Sequence, residues 1–338
     1  MRISFLCVDG LDVRGGVKRI CEYASHLFQR GHEVFILTPD KKLPDWLKLY
    51  EGTFRLADIE RYRHFRTDIA IATGGRAARR LGRMQGAKGK IYSVVMLESL
   101  NKPTEKHGQE IDRDRCLKDP YGQKWTYYAN STWMKEVVET KFGQKCHLVL
   151  APSNERMRPS TPIYRPEGKL LILGYGGCSN WKGGQRTADA VALAKKSLPN
   201  LEMIHYSQRS VPKSRVVVKH WSSPSQELIP QIYSSADIFV HSSRFEGWAN
   251  APFESISCGT PVISYRTPGI EDFIIHNETG VIVDEFDNTH MARAIIRLLT
   301  DQALYGKLKI KCIDKAAEFT WEKTLSKLEQ IFEEALCK

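Results

Sequence analysis

The sequence lacks several features that would restrict what the protein can be. Its 338 residues contain no continuous apolar run near the ~18 residues that a membrane-spanning helix needs. The eight cysteines are scattered and form no C-x-x-C pair, which argues against a zinc site and a disulfide framework. The N-terminus, MRISFLCVDG, leads directly into a strand pattern rather than a signal-peptide layout. These absences predict a protein of the reducing cytoplasm.

Acidic residues are too few to balance the basic ones, and the imbalance lies in the first half of the chain. The net charge is +11, and residues 1–150 hold 27 Lys and Arg against 18 Asp and Glu. Arg76, Arg79, Arg80 and Arg83 recur at helical spacing and would share one face of a helix. Such asymmetry indicates a polyanionic partner, either anionic lipid, a phosphorylated acceptor or nucleic acid, and the alternative is an ordinary solvated face.

The stretch Ser243–Thr260, SRFEGWANAPFESISCGT, carries two glutamates eight residues apart. Proline favours the first helical position, so a helix is predicted over 252–258, ended by Gly259. Glu254 would then lie in the first helical turn, and Glu246 in the loop before the helix. This arrangement brings two carboxylates close to a helix N-terminus.

Backbone amides at this helix start predict a ligand site. The N–H groups of Asn250, Ala251 and Phe253 would point out of the helix end, where an anion such as a diphosphate can bind. Neighbouring carboxylates accept hydrogen bonds and therefore suit the hydroxyls of sugars. The alternative is that Glu254 only complements the helix dipole and that Glu246 is a solvated loop charge.

Strands and helices alternate in two runs, which predicts two Rossmann-like α/β domains. The first run occupies 1–156, and the Pro-rich segment 157–168, MRPSTPIYRPEG, is predicted to be a linker. The second run occupies 169–318, and an amphipathic helix is predicted within 319–338.

Each run begins with a strand, a glycine-rich turn and a helix, an arrangement that lets a phosphate approach backbone amides. In the first run the turn contains Gly15 and Gly16, for which a plain tight turn is the alternative. In the second run Gly174–Gly177 is followed by Lys182 and two further glycines. Neither turn has the spacing of a dinucleotide fingerprint or a Walker A loop.

The motifs FEGWANAPFES, CGTPVIS and TPGIEDFI together resemble the donor-site signature of family 4 of the retaining GT-B glycosyltransferases. The segments GGVKR, RGHEVFILTP and the glycine-lysine stretch around Lys182 resemble further elements of that family, so the likeness spans about 300 residues. It implies two Rossmann-like domains facing a cleft, with the last helix crossing back to the first domain. It also implies a metal-independent hexosyltransferase, of the EC 2.4 class, that retains the anomeric configuration.

The resemblance also assigns roles to individual residues. It implies that Glu246, Lys182 and Glu98 act in catalysis, Glu98 standing where some members end the corresponding strand in a Gln/Glu-type sequence. The residues implied to bind the nucleotide-sugar donor are Gly15, Gly16, Arg19, Lys182, Glu246, Gly247, Asn250, Ala251 and Glu254.

Two positions depart from the family pattern. The histidine that many members place near the donor sugar has no counterpart, because Met96, Leu97 and Glu98 occupy that region. Gly177 stands where the family has an arginine, so one of two expected cations is missing, and Lys18 or Arg266 could replace it only if the geometry allows. Asp112 and Asp114 form a D-x-D pattern, but they lie in a polar stretch and are interpreted as accidental, so no metal is predicted.

The partners that follow from this interpretation are a UDP- or GDP-linked sugar and a glycan, a lipid-linked molecule or a cell-surface polysaccharide as acceptor. No other cofactor is expected. Peripheral contact with the inner face of an anionic membrane is also predicted. A UDP-sugar epimerase or another non-transferase GT-B protein is the alternative. Nucleic-acid binding rests on charge alone and is not favoured, since the chain has no interleaved aromatic and basic platform.

Overall fold

The computed structural model describes residues 1–12, 15–96, 120–177, 182–208 and 210–338. The chain divides into two compact units. Unit 1 comprises Met1–Ala151 together with Trp321–Lys338, and unit 2 comprises Pro152–Thr320. Each unit is built on one parallel sheet, so the predicted fold class of two Rossmann-like domains is confirmed.

Unit 1 contains a seven-stranded parallel sheet of order β3-β2-β1-β4-β5-β6-β7. Its strands are β1 (Arg2–Leu6), β2 (Glu33–Thr38), β3 (Arg55–Asp58), β4 (Thr67–Thr73), β5 (Ala87–Val94), β6 (Thr126–Ala129) and β7 (Cys146–Leu148). Its helices are α1 (Gly15–Gln29), α2 (Gly75–Arg83), α3 (Thr132–Phe142) and α9 (Trp321–Leu336), with 3-10 helices at Asp45–Tyr50 and Ile59–His64.

Unit 2 repeats the pattern with a six-stranded parallel sheet of order β10-β9-β8-β11-β12-β13. Its strands are β8 (Leu170–Tyr175), β9 (Leu201–Ser207), β10 (Val217–Ser222), β11 (Ile238–His241), β12 (Val262–Tyr265) and β13 (Val281–Val283). Its helices are α4 (Gly184–Ala194), α5 (Ile229–Ser235), α6 (Asn250–Ser257), α7 (Asn288–Thr300) and α8 (Gln302–Ala317).

The central strands are nearly continuous apolar runs because helices cover both faces of a parallel sheet. In unit 1 the core includes Ile3 and Phe5 of β1 and the inward face of α1. The final helix, α9, adds Leu328 and Phe332 to this same core. Its Glu322 and Glu329 also hold the Arg30 guanidinium, at 2.7 and 2.8 Å. The last segment of the chain is therefore an integral part of unit 1.

The segment predicted as a linker hydrogen-bonds to unit 2. The amides of Ile163 and Tyr164 donate to Ser235 Oγ at 3.0 and 3.1 Å, and the Arg165 guanidinium makes two hydrogen bonds to Asp237. The structure thus places this proline-rich stretch on the surface of unit 2, where side-chain acceptors compensate for its lack of regular structure.

Helices α5 and α8 are among those that differ from the sequence-based expectation. The sequence Ser223-Pro224-Ser225-Gln226 has the pattern of a capping box, which predicts a helix start there, but α5 begins at Ile229 and Ser223 has a φ of +47°. Helix α8 was not predicted, because its apolar residues form no strong stripe. Among the described residues, no helix is long and apolar enough to cross a bilayer.

Candidate functional site at the strand-order reversal of unit 2

The candidate site lies where the strand order of unit 2 reverses. Strands β8 and β11 are neighbours there, and the chain leaves both at the same edge of the sheet. Ligands of open α/β sheets bind beyond the carboxyl ends of strands at such a reversal. Lys182 follows β8 and Glu246 follows β11, so two predicted site residues enter from adjacent loops.

Lys182 and Glu246 form a tight ion pair. Lys182 Nζ lies 2.6 Å from Glu246 Oε1, and only 8% of the Glu246 side chain is exposed. Burial by itself would raise the pKa of this carboxyl, but the Lys182 ammonium holds it at about 2. The site therefore contains a carboxylate that stays ionised throughout the physiological range, beside a cation.

His241, the last residue of β11, is a neighbour of this pair that the sequence-based interpretation missed. Its Nε2 atom lies 3.7 Å from Glu246 Oε1, and its Nδ1 atom lies 2.9 Å from Ser264 Oγ. Because Ser264 donates its own proton to the Tyr265 carbonyl, His241 Nδ1 is the donor to Ser264. Burial lowers the pKa of the ring below its usual value despite the Glu246 charge, so the ring is neutral at pH 7. The signal in the sequence was a histidine ending an otherwise apolar strand.

A glycine turn fixes the loop that carries Glu246. Gly269 has a φ of +83°, and a Cβ there would lie 2.4 Å from the Gly247 carbonyl oxygen and 2.7 Å from that of Glu246. Thr267 Oγ1 donates to the Ser243 carbonyl at 2.8 Å. The TPG segment therefore holds both ends of the Glu246 loop, and this requires a residue without a Cβ.

A second glycine brings Lys182 into position. Gly183 has a φ of +72° and precedes α4, and a Cβ at this position would lie 2.4 Å from the Ser242 carbonyl oxygen. Thr187 Oγ1, one turn into α4, is 2.8 Å from Ser242 Oγ. The close approach of α4 to the loop after β11 explains how Lys182 reaches Glu246, a residue 64 positions later.

Helix α6 begins two residues earlier than predicted. Its first helical residue is Asn250, so Pro252 occupies the third position rather than the first, and Glu254 falls beyond the first turn. The Phe253 amide donates to the Ala249 carbonyl at 3.2 Å, so it does not point out of the helix end as expected. Proline is tolerated throughout the first turn because none of those amides has an intrahelical partner, and the sequence alone could not choose between these positions.

Glu254 lies on α6 and accepts a hydrogen bond from a tyrosine. Tyr233 Oη donates to Glu254 Oε2 at 3.2 Å. Trp248, in the loop before α6, packs its ring on Phe253 and Phe273, with centroids 5.1 and 4.9 Å apart. Aromatic packing thus holds the segment between the two glutamates. This segment includes the predicted residues Gly247, Asn250 and Ala251.

The predicted residues of the first glycine turn lie in unit 1. Gly15 and Gly16 open helix α1, and Gly16 is not among the glycines with a positive φ. Arg19 Nη1 lies 3.1 Å from the buried carboxylate of Glu22, one turn further along the helix. Before this helix, Asp40 Oδ2 accepts a hydrogen bond from the Leu11 amide at 2.8 Å. Glu98, Asp112 and Asp114 lie outside the described residues.

Arg266 is poorly suited to replace the arginine that the family pattern predicts at the position of Gly177. The Arg266 guanidinium is half exposed and pairs with both Glu271 and Asp284. Lys18 lies on helix α1 of unit 1. A Cβ at Gly177 would lie 3.1 Å from Ser210 Oγ. Among the described residues there is no cluster of three or more His, Cys, Asp or Glu side chains that could hold a metal ion.

Comparison with known proteins relates part of the chain to a family of enzymes. Residues 160–319 match the model of the family described as Glycosyl transferases group 1. The D-inositol 3-phosphate glycosyltransferase of Corynebacterium diphtheriae is 32% identical over 112 residues, which are 33% of this chain and 26% of that protein. The chain therefore spans only about a quarter of that relative.

Solved structures match over nearly the whole chain. Sucrose-phosphate synthase from Thermosynechococcus elongatus superposes with a TM-score of 0.81 at 16% identity, covering 98% of both chains. The Anabaena protein HepE, in complex with UDP-glucose, superposes with a TM-score of 0.76 at 14% identity, covering 98% of this chain and 99% of that one. Residues 160–319, which make up nearly all of unit 2, thus match the Glycosyl transferases group 1 family, within a chain of GT-B fold.

Proposed function

We propose that the protein is a retaining glycosyltransferase that moves a sugar from a nucleotide-diphosphate donor to an acceptor without a metal ion. The observation that carries this proposal is the Lys182–Glu246 ion pair at the strand-order reversal, with Glu254 eight residues further along the chain, on α6. A fixed cation suits a diphosphate, and fixed carboxylates suit sugar hydroxyls. The family match over unit 2 supports the same class of reaction.

The chemistry requires that negative charge be stabilised where it develops. As the bond from the anomeric carbon to the diphosphate breaks, charge accumulates on the leaving phosphate, and Lys182 is the cation that would compensate it. Glu246 would hold hydroxyls of the sugar and Glu254 those of the ribose. The acceptor oxygen would bond to the anomeric carbon on the face from which the phosphate departs and give its proton to that phosphate, and attack on this face retains the anomeric configuration.

The donor is proposed to be a UDP- or GDP-linked hexose, and the acceptor a glycan, a lipid-linked molecule or a cell-surface polysaccharide. The UDP-glucose bound by HepE supports the nucleotide class. The curated relatives are named as D-inositol 3-phosphate glycosyltransferases. A phosphorylated acceptor of this kind would suit the basic first half of the chain.

The direct test is release of nucleoside diphosphate from a panel of UDP- and GDP-sugars, with and without candidate acceptors. We expect release only when an acceptor is present. The second candidate, a UDP-sugar epimerase, is favoured by Gly177, which leaves the loop after β8 without the family's arginine. Conversion of the donor sugar without any acceptor would establish that second reading and overturn the transferase.

Activity is expected to survive removal of divalent metals. Lys182 already supplies a cation beside Glu246, so the leaving group needs no metal for charge compensation. The measurement is transfer rate after dialysis against EDTA, with added Mg²⁺ or Mn²⁺ as the control. A complete loss of activity that Mn²⁺ restores would contradict the proposal and would indicate Asp112 and Asp114 as metal ligands.

Replacing Glu254 by glutamine is expected to weaken binding of the donor nucleotide. The substitution converts a charge-assisted hydrogen bond to the ribose into a neutral one, and hydrogen bonds to charged groups contribute about 1.5–3 kcal/mol. Calorimetric titration with UDP and GDP would measure the loss. An unchanged affinity would remove Glu254 from the site.

The basic surface of unit 1 supports peripheral binding to an anionic membrane at its inner face. The side chain of Arg76 is 71% exposed and pairs with Asp9 at 2.6 Å, whereas Arg80 is 30% exposed and lies 3.5 Å from Glu60. Nearby, Arg61, His64, Phe65 and Arg66 line a surface cavity of about 430 Å³. These cations could face anionic headgroups together.

The apolar neighbours of the arginine stripe do not reach the surface. Leu81 and Met84, the apolar residues closest in sequence to these arginines, are 0% and 2% exposed and belong to the core of unit 1. Any membrane contact through α2 would therefore be electrostatic and reversible, since each cation near an anionic surface contributes about 1 kcal/mol and salt screens it.

Liposome flotation at low and raised salt would test this contact. We expect wild-type protein to float with anionic but not neutral vesicles, and less at raised salt. A variant with Arg76, Arg79, Arg80 and Arg83 all changed to Gln should float less. Equal flotation of the variant and the wild type would show that the stripe is only a solvated face.

A further inference from the structure

Two buried tyrosine hydroxyls form a hydrogen-bonded chain that ends on the Glu254 carboxylate. Tyr233 Oη, on a fully buried side chain of α5, lies 3.2 Å from Glu254 Oε2. Tyr206 Oη, on a side chain of β9 that is 6% exposed, lies 2.7 Å from Tyr233 Oη. Three elements of unit 2 thus meet through a continuous hydrogen-bonded chain that ends on one oxygen of a candidate ligand-binding residue.

The direction of this chain follows from the number of protons available. A tyrosine hydroxyl has one proton, and an ionised carboxylate only accepts. Tyr233 therefore gives its proton to Glu254, and it must accept from Tyr206. Burial, together with the negative charge of Glu254, raises the pKa of both tyrosines well above the ordinary value, so both keep their protons. Hydrogen bonds that point the same way polarise one another and strengthen the last contact.

The surrounding structure fixes Tyr233 at both ends. Thr260 Oγ1 donates to the Tyr233 carbonyl at 2.8 Å, and Thr260 lies just beyond α6, the helix that carries Glu254. The Tyr233 ring packs on Phe239 of β11, with centroids 5.7 Å apart. A phenylalanine would fill the same space without the hydroxyl, so packing alone does not explain a buried polar group that points at a carboxylate.

We propose that Tyr233, supported by Tyr206, is a positioning residue that sets the orientation of the Glu254 carboxylate for the ribose diol of the donor nucleotide. The inference deepens the proposed function and rests on it, because it takes the diol as the ligand of Glu254. With Oε2 held by Tyr233, the carboxylate cannot rotate freely, and the nucleotide does not have to order it on binding.

The experiment compares ligands with and without the diol. Calorimetric titration would give affinities for UDP, GDP and ADP, and for the 2′,3′-dideoxy counterpart of whichever binds best. The proteins are the wild type, Tyr233→Phe, Tyr206→Phe and Tyr265→Phe. Tyr265 is a matched control, since it is equally buried in unit 2 but directs its hydroxyl to Asn288. Melting temperatures would be recorded for all four.

We expect Tyr233→Phe to bind the ribonucleotide about tenfold more weakly, because a hydrogen bond to a charged group is lost, and to bind the dideoxy compound as the wild type does. Tyr206→Phe should show a smaller loss with the same dependence on ribose, and Tyr265→Phe should show none. If Tyr233→Phe does not fold, unaltered ribose discrimination in Tyr206→Phe overturns the inference.

The remaining outcomes separate the inference from the proposed function. Equal losses for both ligands in Tyr233→Phe, or no loss for either, overturn the positioning role while leaving nucleotide binding established. A wild type that binds the dideoxy and ribose forms equally well overturns the assignment of the diol to Glu254, and the inference with it. A wild type that binds no nucleoside diphosphate overturns the proposed function and the inference together.

Discussion

Replacing Lys182 by glutamine is expected to lower the rate of sugar transfer by about 10²–10³-fold at saturating donor. This is the usual effect of removing one preorganised group that stabilises charge in a transition state. Lys182 is suited to this role because Glu246 fixes its ammonium at 2.6 Å and because only 24% of its side chain is exposed. The rate would be measured with the acceptor identified by the release assay.

Lys219→Gln provides the matched control for this substitution. Lys219 is an exposed lysine of β10 in the same unit, and its ammonium lies 5.7 Å over the Trp221 ring rather than in the site. The control should keep wild-type rates. If Lys182→Gln transfers sugar at the rate of the control, the leaving group takes its charge compensation elsewhere and the proposed mechanism is wrong.

Replacing Glu246 by glutamine is expected to lower transfer at least a hundredfold and also to destabilise unit 2. Removing the carboxylate leaves Lys182 without its buried partner, and breaking such a pair is costly. A depression of the carboxyl pKa from 4.5 to about 2 corresponds to roughly 3 kcal/mol of folding free energy at neutral pH.

The pH dependence of this effect has a definite sign. Because the folded pKa of Glu246 lies below the unfolded value, the stabilisation is fully present above about pH 4.5 and disappears as the pH falls towards 2. The melting temperatures of wild type and Glu246→Gln should therefore differ by a constant amount from pH 8 to pH 5 and converge below pH 4.5. Glu278→Gln, at an exposed position of unit 2, should follow the wild type throughout. A gap that persists unchanged at pH 3 would contradict the assignment.

Most strands and helices could be predicted because their periodicity is strong. The buried strands β1, β8 and β11 and the helices α1 and α9 read directly from apolar runs and stripes. Strand β10 was not predicted, since it lies at the sheet edge and its VVKHWS sequence has no clear alternation. The start of α6 was misplaced by two residues because a proline fits any position of the first helical turn.

The sequence by itself determined the two α/β runs and the candidate residues Glu246, Glu254 and Lys182. Apolar periodicity, glycine turns and motif spacing are local properties of the chain and can be read along it. Only the tertiary structure decided which side chains meet. The pairing of Lys182 with Glu246, the neutral His241 beside them and the approach of Gly269 to the Glu246 loop join segments that lie on separate strands and loops. Periodicity states which face of an element is buried, but it does not state which partner that face meets across the sheet. The hydroxyl chain from Tyr206 through Tyr233 to Glu254 had no sequence signal for this reason, since it depends on three elements converging on one carboxylate.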